Sequence, residues 1–286
     1  MSTAASSSTP LPVRTPGTRA ARGRHRRPER HEIAADAPAL LVAVPAEATP
    51  AAQQIADELL SLIRGEQPGI NARVGYLTST GDESATLATQ LAESVAAGLP
   101  APVVVPLLSG PHEGLQAALA ELQLGLETEL KVTDALGPHP LLAEALHVRL
   151  SEAGLARADR ARLFAINTSA DGIVLGSVGG AEALRLAEVT GVLLAARLAV
   201  PVVAAALDEP GAVAAAAAHL RETGCAQPAL APYLFGPEAD PELVKTEASE
   251  AECQASEPLG AYPTVARLVL GLYLGALGLE QEPEQG

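Results

Sequence analysis

From Leu40 onward the chain alternates between two hydrophobic rhythms. Short apolar runs bounded by Pro or Gly read as strands at residues 40–44, 73–77, 103–108 and 130–133. Between them, apolar residues recur three and four apart, the spacing of one helix face. Ile55, Leu59, Leu62 and Ile63 mark a helix over 50–63, and the same spacing predicts helices over 84–97, 113–124 and 141–153. The order then starts again. Strands are predicted at 172–175, 202–207, 229–234 and 253–255, alternating with helices at 181–198, 212–223, 241–249 and 264–277. Strands that alternate with helices predict parallel sheets with both faces covered.

The second half repeats the first in detail. The run from Leu136 to Ala143 shares Leu, Gly, Pro and Ala with the run from Leu259 to Ala266, 123 residues later. The run from Pro106 to Pro111 shares Pro, Leu, Gly and Pro with the run from Pro232 to Pro237, 126 residues later. Two matches at nearly one offset, each at the same place in the element order, indicate a duplicated α/β unit of about 120 residues. The expected organisation is a basic tail at 1–37, one α/β lobe at 38–154, a second at 155–280, and a short disordered end at 281–286. Ligands of such sheets bind beyond the carboxyl ends of the strands, which points to the loops at 109–113 and 235–238.

Charge sharpens this division. The chain carries a net −15, yet the first 35 residues hold seven Arg and two acids, so the remainder carries −20. The tail is rich in Ser, Thr, Pro and Arg and poor in large aliphatics, a composition that cannot offset the entropy of ordering. Pro28 to Glu32 follow Arg26-Arg27 where an export signal would turn apolar, so a cytoplasmic protein is expected. An acidic body repels nucleic-acid phosphates and anionic membranes. Aromatic residues make up 2% of the chain and Trp is absent, which argues against base-stacking platforms. No apolar run is long enough to span a bilayer. Cys225 and Cys253 fit neither metal spacing nor a disulfide framework.

Few residues can carry chemistry. His25 and His31 lie in the tail, His147 and His219 fall on helices with surface positions expected, and His139 occupies a Gly-Pro-His-Pro turn. His112 stands apart, because it follows the strand at 103–108 through a Ser-Gly-Pro turn and precedes Glu113 at a helix start. It reads either as a helix-start residue or as a metal ligand and proton acceptor, neutral imidazole being available near pH 7. The repeat makes Glu238 its counterpart, so the two could face each other across one cleft. An imidazole with carboxylates suits Fe2+ or Co2+; Glu238 also fits as a helix N-terminal acid. The glycine-rich run from Gly176 to Gly180 opens a helix and could hold an anion or simply make a tight turn. Neither a Walker loop nor a Gly-x-Ser-x-Gly elbow occurs.

Three stretches resemble the sirohydrochlorin chelatases, the class II tetrapyrrole chelatases. Val105 to His112 looks like the family's strand and Ser-Thr-Gly-x-His loop, one residue shorter. Ala135 to Leu146 looks like its Leu-Gly-Pro turn and helix, and Glu257 to Pro263 is similar to a second copy of that turn. The resemblance implies a duplicated two-lobe chelatase-like fold. It also implies insertion of Fe2+ or Co2+ into a tetrapyrrole, in siroheme or cobalamin biosynthesis, with no cofactor beyond the substrate metal. It carries over His112 alone as metal ligand and base. Taken with the repeat and the neighbouring loops, the expected site is His112 and Glu113 for catalysis, His112, Glu47 and Glu238 for the metal, and Ser109 and Gly110 for the substrate.

The chain departs from the family at its first motif, where an Ala-His-Gly sequence is expected. Ala46 stands at the histidine position and Glu47 at the glycine. Metallation removes two pyrrole protons, and losing a general base or ligand costs on the order of 10²–10⁴ in rate. Glu47 and Glu113 are the candidate substitutes. The alternative is a catalytically inactive tetrapyrrole- or metal-binding protein on the same fold. A two-lobed extracellular solute-binding protein is a third reading. For stacking on a macrocycle, Tyr76, Tyr233 and Phe235 are the expected aromatics.

Overall fold

In the computed structural model the described residues are 33–34, 36–126, 129–156 and 170–279. Most of the basic tail and the end at 281–286 lie outside them. The first lobe runs β1 (Leu40–Glu47), α1 (Pro50–Glu66), β2 (Ala72–Thr78), α2 (Leu87–Ala96), β3 (Val103–Pro106), α3 (Glu113–Leu124), β4 (Lys131–Val132) and α4 (Pro140–Glu152). The second repeats it as β5 (Gly172–Ser177), α5 (Gly180–Leu198), β6 (Val202–Ala206), α6 (Ala212–Glu222), β7 (Pro228–Pro232), α7 (Pro241–Glu250), β8 (Gln254–Ala255) and α8 (Pro263–Ala276). Each lobe holds a four-stranded parallel sheet, in the orders β2-β1-β3-β4 and β6-β5-β7-β8. The duplicated two-lobe α/β fold expected from the sequence is therefore present.

Local chemistry sets the element ends. The Thr49 hydroxyl accepts the Ala52 N–H at the start of α1, where Pro50 supplies a prearranged φ. Asp240 caps α7 in the same way, with Pro241 next. The helix expected over 84–97 divides, because Thr86 takes an extended conformation and its hydroxyl accepts the Thr89 N–H. A 3-10 turn (Glu83–Ala85) precedes it and α2 follows. The strand expected over 130–133 shortens to β4, whose two residues are exposed, as befits an edge strand paired on one side. Lys131 of β4 donates to the carbonyl of Ala276 at the end of α8.

The two lobes share one core. Leu40, Val42 and Val44 on β1 and Ile173 and Leu175 on β5 face the same apolar interior as α1, α4, α5 and α8. Leu41, Ala43 and Val104 face outward onto α2 and α3, and Val174 and Leu230 face outward onto α6 and α7. The body is thus layered, with the four inner helices held between two sheets and an outer helix pair on each side. Packing across the middle respects the repeat: α1 lies on α8, and α5 lies on α4. Ile33 packs against the shared core and Tyr273 Oη donates to the carbonyl of Pro38 at 2.7 Å, so ordered packing begins before Leu40. His147 lies inside this layer, 5% exposed, and accepts at Nδ1 from Arg197 Nε at 2.8 Å. Its expected surface position is corrected by the second lobe, which covers that face of α4. His219 is exposed as expected.

Candidate functional site

The repeat creates two crossings where a loop after the third strand of one lobe meets the first helix of the other. Gly236, after β7, approaches α1; a Cβ there would lie 2.8 Å from Ile55 Cδ1, and its φ is +126°. Both facts demand glycine. Gly110, after β3, approaches α5, where a Cβ would lie 3.4 Å from Ala183. A Cβ on Gly179 would lie 2.8 Å from the carbonyl of Pro111 at this second crossing. The two are not equally filled, and at the first a cavity of about 1220 Å³ opens.

That volume exceeds the roughly 300–1,000 Å³ usual for small-molecule pockets. The cavity sits beyond the carboxyl ends of β1, β7 and β8, where open α/β sheets bind ligands. Ala46 and Glu47 of β1 contribute to it after a register shift in the β1–β2 pairing between Val44 and Glu47. Helix α1, the end of α4, the loop after β7, α7 and the turn before α8 form the remaining walls.

The lining is acidic. It includes Glu47, Glu58, Glu152, Glu238, Asp240 and Glu257, against Arg149 and Lys245 as its bases. The Thr80 hydroxyl donates to Glu47. Glu238 accepts the N–H groups of Phe235 and Gly236, each at 2.8 Å, one on each carboxylate oxygen. Burial nevertheless dominates and pushes its carboxyl up to about 7. Arg149 is held by three groups: Glu152 at 3.2 Å, the carbonyl of Leu259 at 3.3 Å, and the Tyr262 ring, whose centroid lies 4.6 Å from the guanidinium carbon. Tyr262 donates to Glu152, and its phenol is pushed up to about 12, first by burial and then by that bond.

The expected site residues divide between the two crossings. Glu47 and Glu238 line the cavity; His112, Glu113, Ser109 and Gly110 are not among its lining residues. His112 thus does not line the cavity that holds Glu238. His112 caps α3, with its Nδ1 accepting the Leu115 N–H at 3.1 Å and its ring resting over Gly114. Ser109 is buried and donates to the carbonyl of Tyr233 at 2.9 Å, and Gly110 is packed on Ala183, so both join the lobes. Glu113 is exposed in the first turn of α3. Among the described residues, no group of three His, Cys, Asp or Glu side chains could hold a metal ion.

Other expectations resolve locally. The N–H of Gly179 in the glycine-rich run donates to Asp208 Oδ2 at 3.1 Å, so an internal carboxylate occupies that helix start. Tyr76, Tyr233 and Phe235 are 5%, 1% and 0% exposed and offer no stacking surface; the cavity aromatic is Tyr262. Arg149 and Tyr262 were missed as site residues. The signal for Tyr262 was its place in the repeated turn before α8, at the carboxyl end of a strand. Arg149 lies within α4 and enters the cavity only because α4 packs against the second lobe. Both cysteines are free, and burial pushes both thiols up, in line with inert side chains. No described helix is long and apolar enough to cross a membrane.

The two-lobe fold is shared with solved chelatase structures. The chain is similar to the sirohydrochlorin chelatase SirB from Bacillus subtilis subspecies spizizenii, solved in complex with cobalt. That match has a TM-score of 0.61 and 15% identity, covering 83% of this chain and 94% of the other. SirB from Bacillus subtilis with Fe3+ gives a TM-score of 0.63 at 16% identity, with the same coverage. A multi-domain protein from Deinococcus radiodurans, described as structurally similar to chelatases with two additional novel domains, gives 0.54 at 19% identity. It is matched over 83% of this chain and 55% of its own length. Residues 47–153, the span from the end of β1 through α4, match the CbiX family model. The first lobe is thus similar to the CbiX family, and the described body shares the fold of these chelatase structures. No curated protein matches it significantly.

Proposed function

We propose that the protein inserts a divalent metal, Fe2+ or Co2+, into a tetrapyrrole bound in the cavity between Glu47 and Glu238. The observation that carries this reading is the cavity itself, placed beyond β1 and β7 in a chain whose first lobe matches CbiX. Its volume has room for a macrocycle.

The chemistry follows from the carboxylates. An entering ion exchanges its waters for pyrrole nitrogens, and the ring releases two N–H protons. Glu47, at the end of β1, meets the ion. Glu238, whose carboxyl burial raises to about 7, accepts one of the two protons, since a base works best with a pKa close to the working pH; the other passes to solvent water. The test is optical metallation of sirohydrochlorin with Co2+ or Fe2+. A rate above the uncatalysed control, raised further in Ala46→His, is expected. No rate in either protein would overturn the reading.

A second reading is a tetrapyrrole- or metal-binding protein without turnover. Ala46 lines the cavity where the family's first histidine is expected, while His112 lies outside the lining. Tight binding of sirohydrochlorin with no metallation in the same assay would favour it.

A further inference from the structure

A polycarboxylate ring entering the cavity has two cations on the wall to dock against, Arg149 and Lys245. They are not equivalent. The Lys245 side chain is 70% exposed, with its Nζ 2.7 Å from Glu242, so water screens its charge. The Arg149 side chain is 24% exposed and is fixed in place by its neighbours. Its Nε donates to the carbonyl of Leu259, its Nη1 donates to Glu152, and the guanidinium lies over the Tyr262 ring. Its Nη2 lies against Gly260, where a Cβ would come within 2.6 Å of it. Among the described residues Nη2 has no acceptor.

The repeat shows that this arrangement is an addition to the duplicated fold. Arg149 of α4 stands where α8 has Leu272, and Tyr262 stands where the first copy has His139. His139 turns its Nδ1 to the Leu141 N–H and caps α4. Tyr262 makes no side-chain cap on α8; it reaches Glu152 and the guanidinium instead. A side chain that gives up the local role of its repeat partner marks a functional position.

We infer that Arg149, held on the Tyr262 ring, anchors a carboxylate side chain of the tetrapyrrole and so sets the orientation of the ring in the cavity. This inference rests on the chelatase reading and adds a specificity-determining residue to it. A guanidinium has five N–H donors, and Leu259 and Glu152 take one each. The Nη2 donors remain for a ligand carboxylate, in charge-assisted hydrogen bonds. Because the group is already held, little ordering is left to be done on binding. Carboxylates on the rest of the wall disfavour other docking points, so a single fixed cation among them sets the register.

Sirohydrochlorin, a polycarboxylate, tests this on the full chain. Its absorption change on binding without metal gives Kd, and Co2+ insertion gives KM and kcat. Arg149→Gln should raise Kd and KM about tenfold with kcat within about threefold of wild type, the pattern of lost uniform binding. Arg149→Lys keeps the charge but neither the fork nor the stack, and should recover about threefold of that loss. Lys245→Gln takes the same charge from the exposed base and should move Kd less than about twofold. An unchanged Kd in folded Arg149→Gln, or equal weakening in Lys245→Gln, would overturn the inference, while wild-type metallation would keep the chelatase reading. A wild-type chain that neither binds nor metallates sirohydrochlorin would overturn both.

Discussion

Ser109 donates its hydroxyl hydrogen to the carbonyl of Tyr233 at 2.9 Å, across 124 residues of chain. The bond joins the loop after β3 to the end of β7. These are repeat-related positions in the two lobes, and both residues are buried. Tyr233 is tied further, its N–H to the carbonyl of Gly176 and its phenol to Thr190 at 2.9 Å. The junction is thus a polar seam within an apolar core. Removing the hydroxyl in Ser109→Ala leaves a buried carbonyl one partner short and should cost about 2 kcal/mol. Urea unfolding measures it, and an unchanged midpoint would remove Ser109 from the seam.

Gly137 closes the same seam from above. A Cβ there would collide with both the Tyr233 hydroxyl, which is held by its bond to Thr190, and the Ser109 carbonyl, which is backbone. Gly137→Ala should therefore destabilise by about 3 kcal/mol through overpacking. It should be the more damaging of the two substitutions in the same unfolding series.

His112 earns its place through helix capping. His112→Ala removes the acceptor for the Leu115 N–H and should cost about 1 kcal/mol, while His112→Asn keeps an acceptor and should recover most of it. Equal loss in both variants would show that the ring does something other than cap α3.

Glu238 gives the fold a pH dependence whose sign is set by burial. Its carboxyl is raised from 4.5 to about 7. Below about pH 4.5 both folded and unfolded chains hold the proton, and its contribution to stability is complete. Between there and about pH 7 only the folded chain holds it, so stability falls as pH rises, by up to about 3 kcal/mol in all. Glu238→Gln should flatten this component of the profile between pH 4.5 and 7.5. Superimposable wild-type and variant profiles would contradict the burial argument.

Much of the architecture was legible because it rests on periodicity. Apolar runs such as 103–108 and stripes such as Leu115, Leu119 and Leu122 are local signals, and the repeat fixed their pairing into two equal lobes. What was not legible is how the lobes pack. His147 looks like a surface residue on α4 until α5 covers it. The repeat related His112 to Glu238, but the loop holding His112 packs on α5 while the loop holding Glu238 packs on α1. Glu238 reached the cavity and His112 did not. Arg149 and Tyr262 meet through the packing of α4 against the turn before α8, a contact between residues 113 apart, which no local pattern records.

The central claim is that chemistry occurs at the Glu47 side of the cavity. The most direct measurement is the initial rate of Co2+ insertion into sirohydrochlorin by the wild-type chain, Glu47→Gln and His112→Ala. The account predicts a fall of about 10²-fold in Glu47→Gln and a rate within about threefold of wild type for folded His112→Ala, the range expected when a substitution touches stability but not the reacting atoms. An unaltered rate in Glu47→Gln with activity abolished in His112→Ala would contradict it.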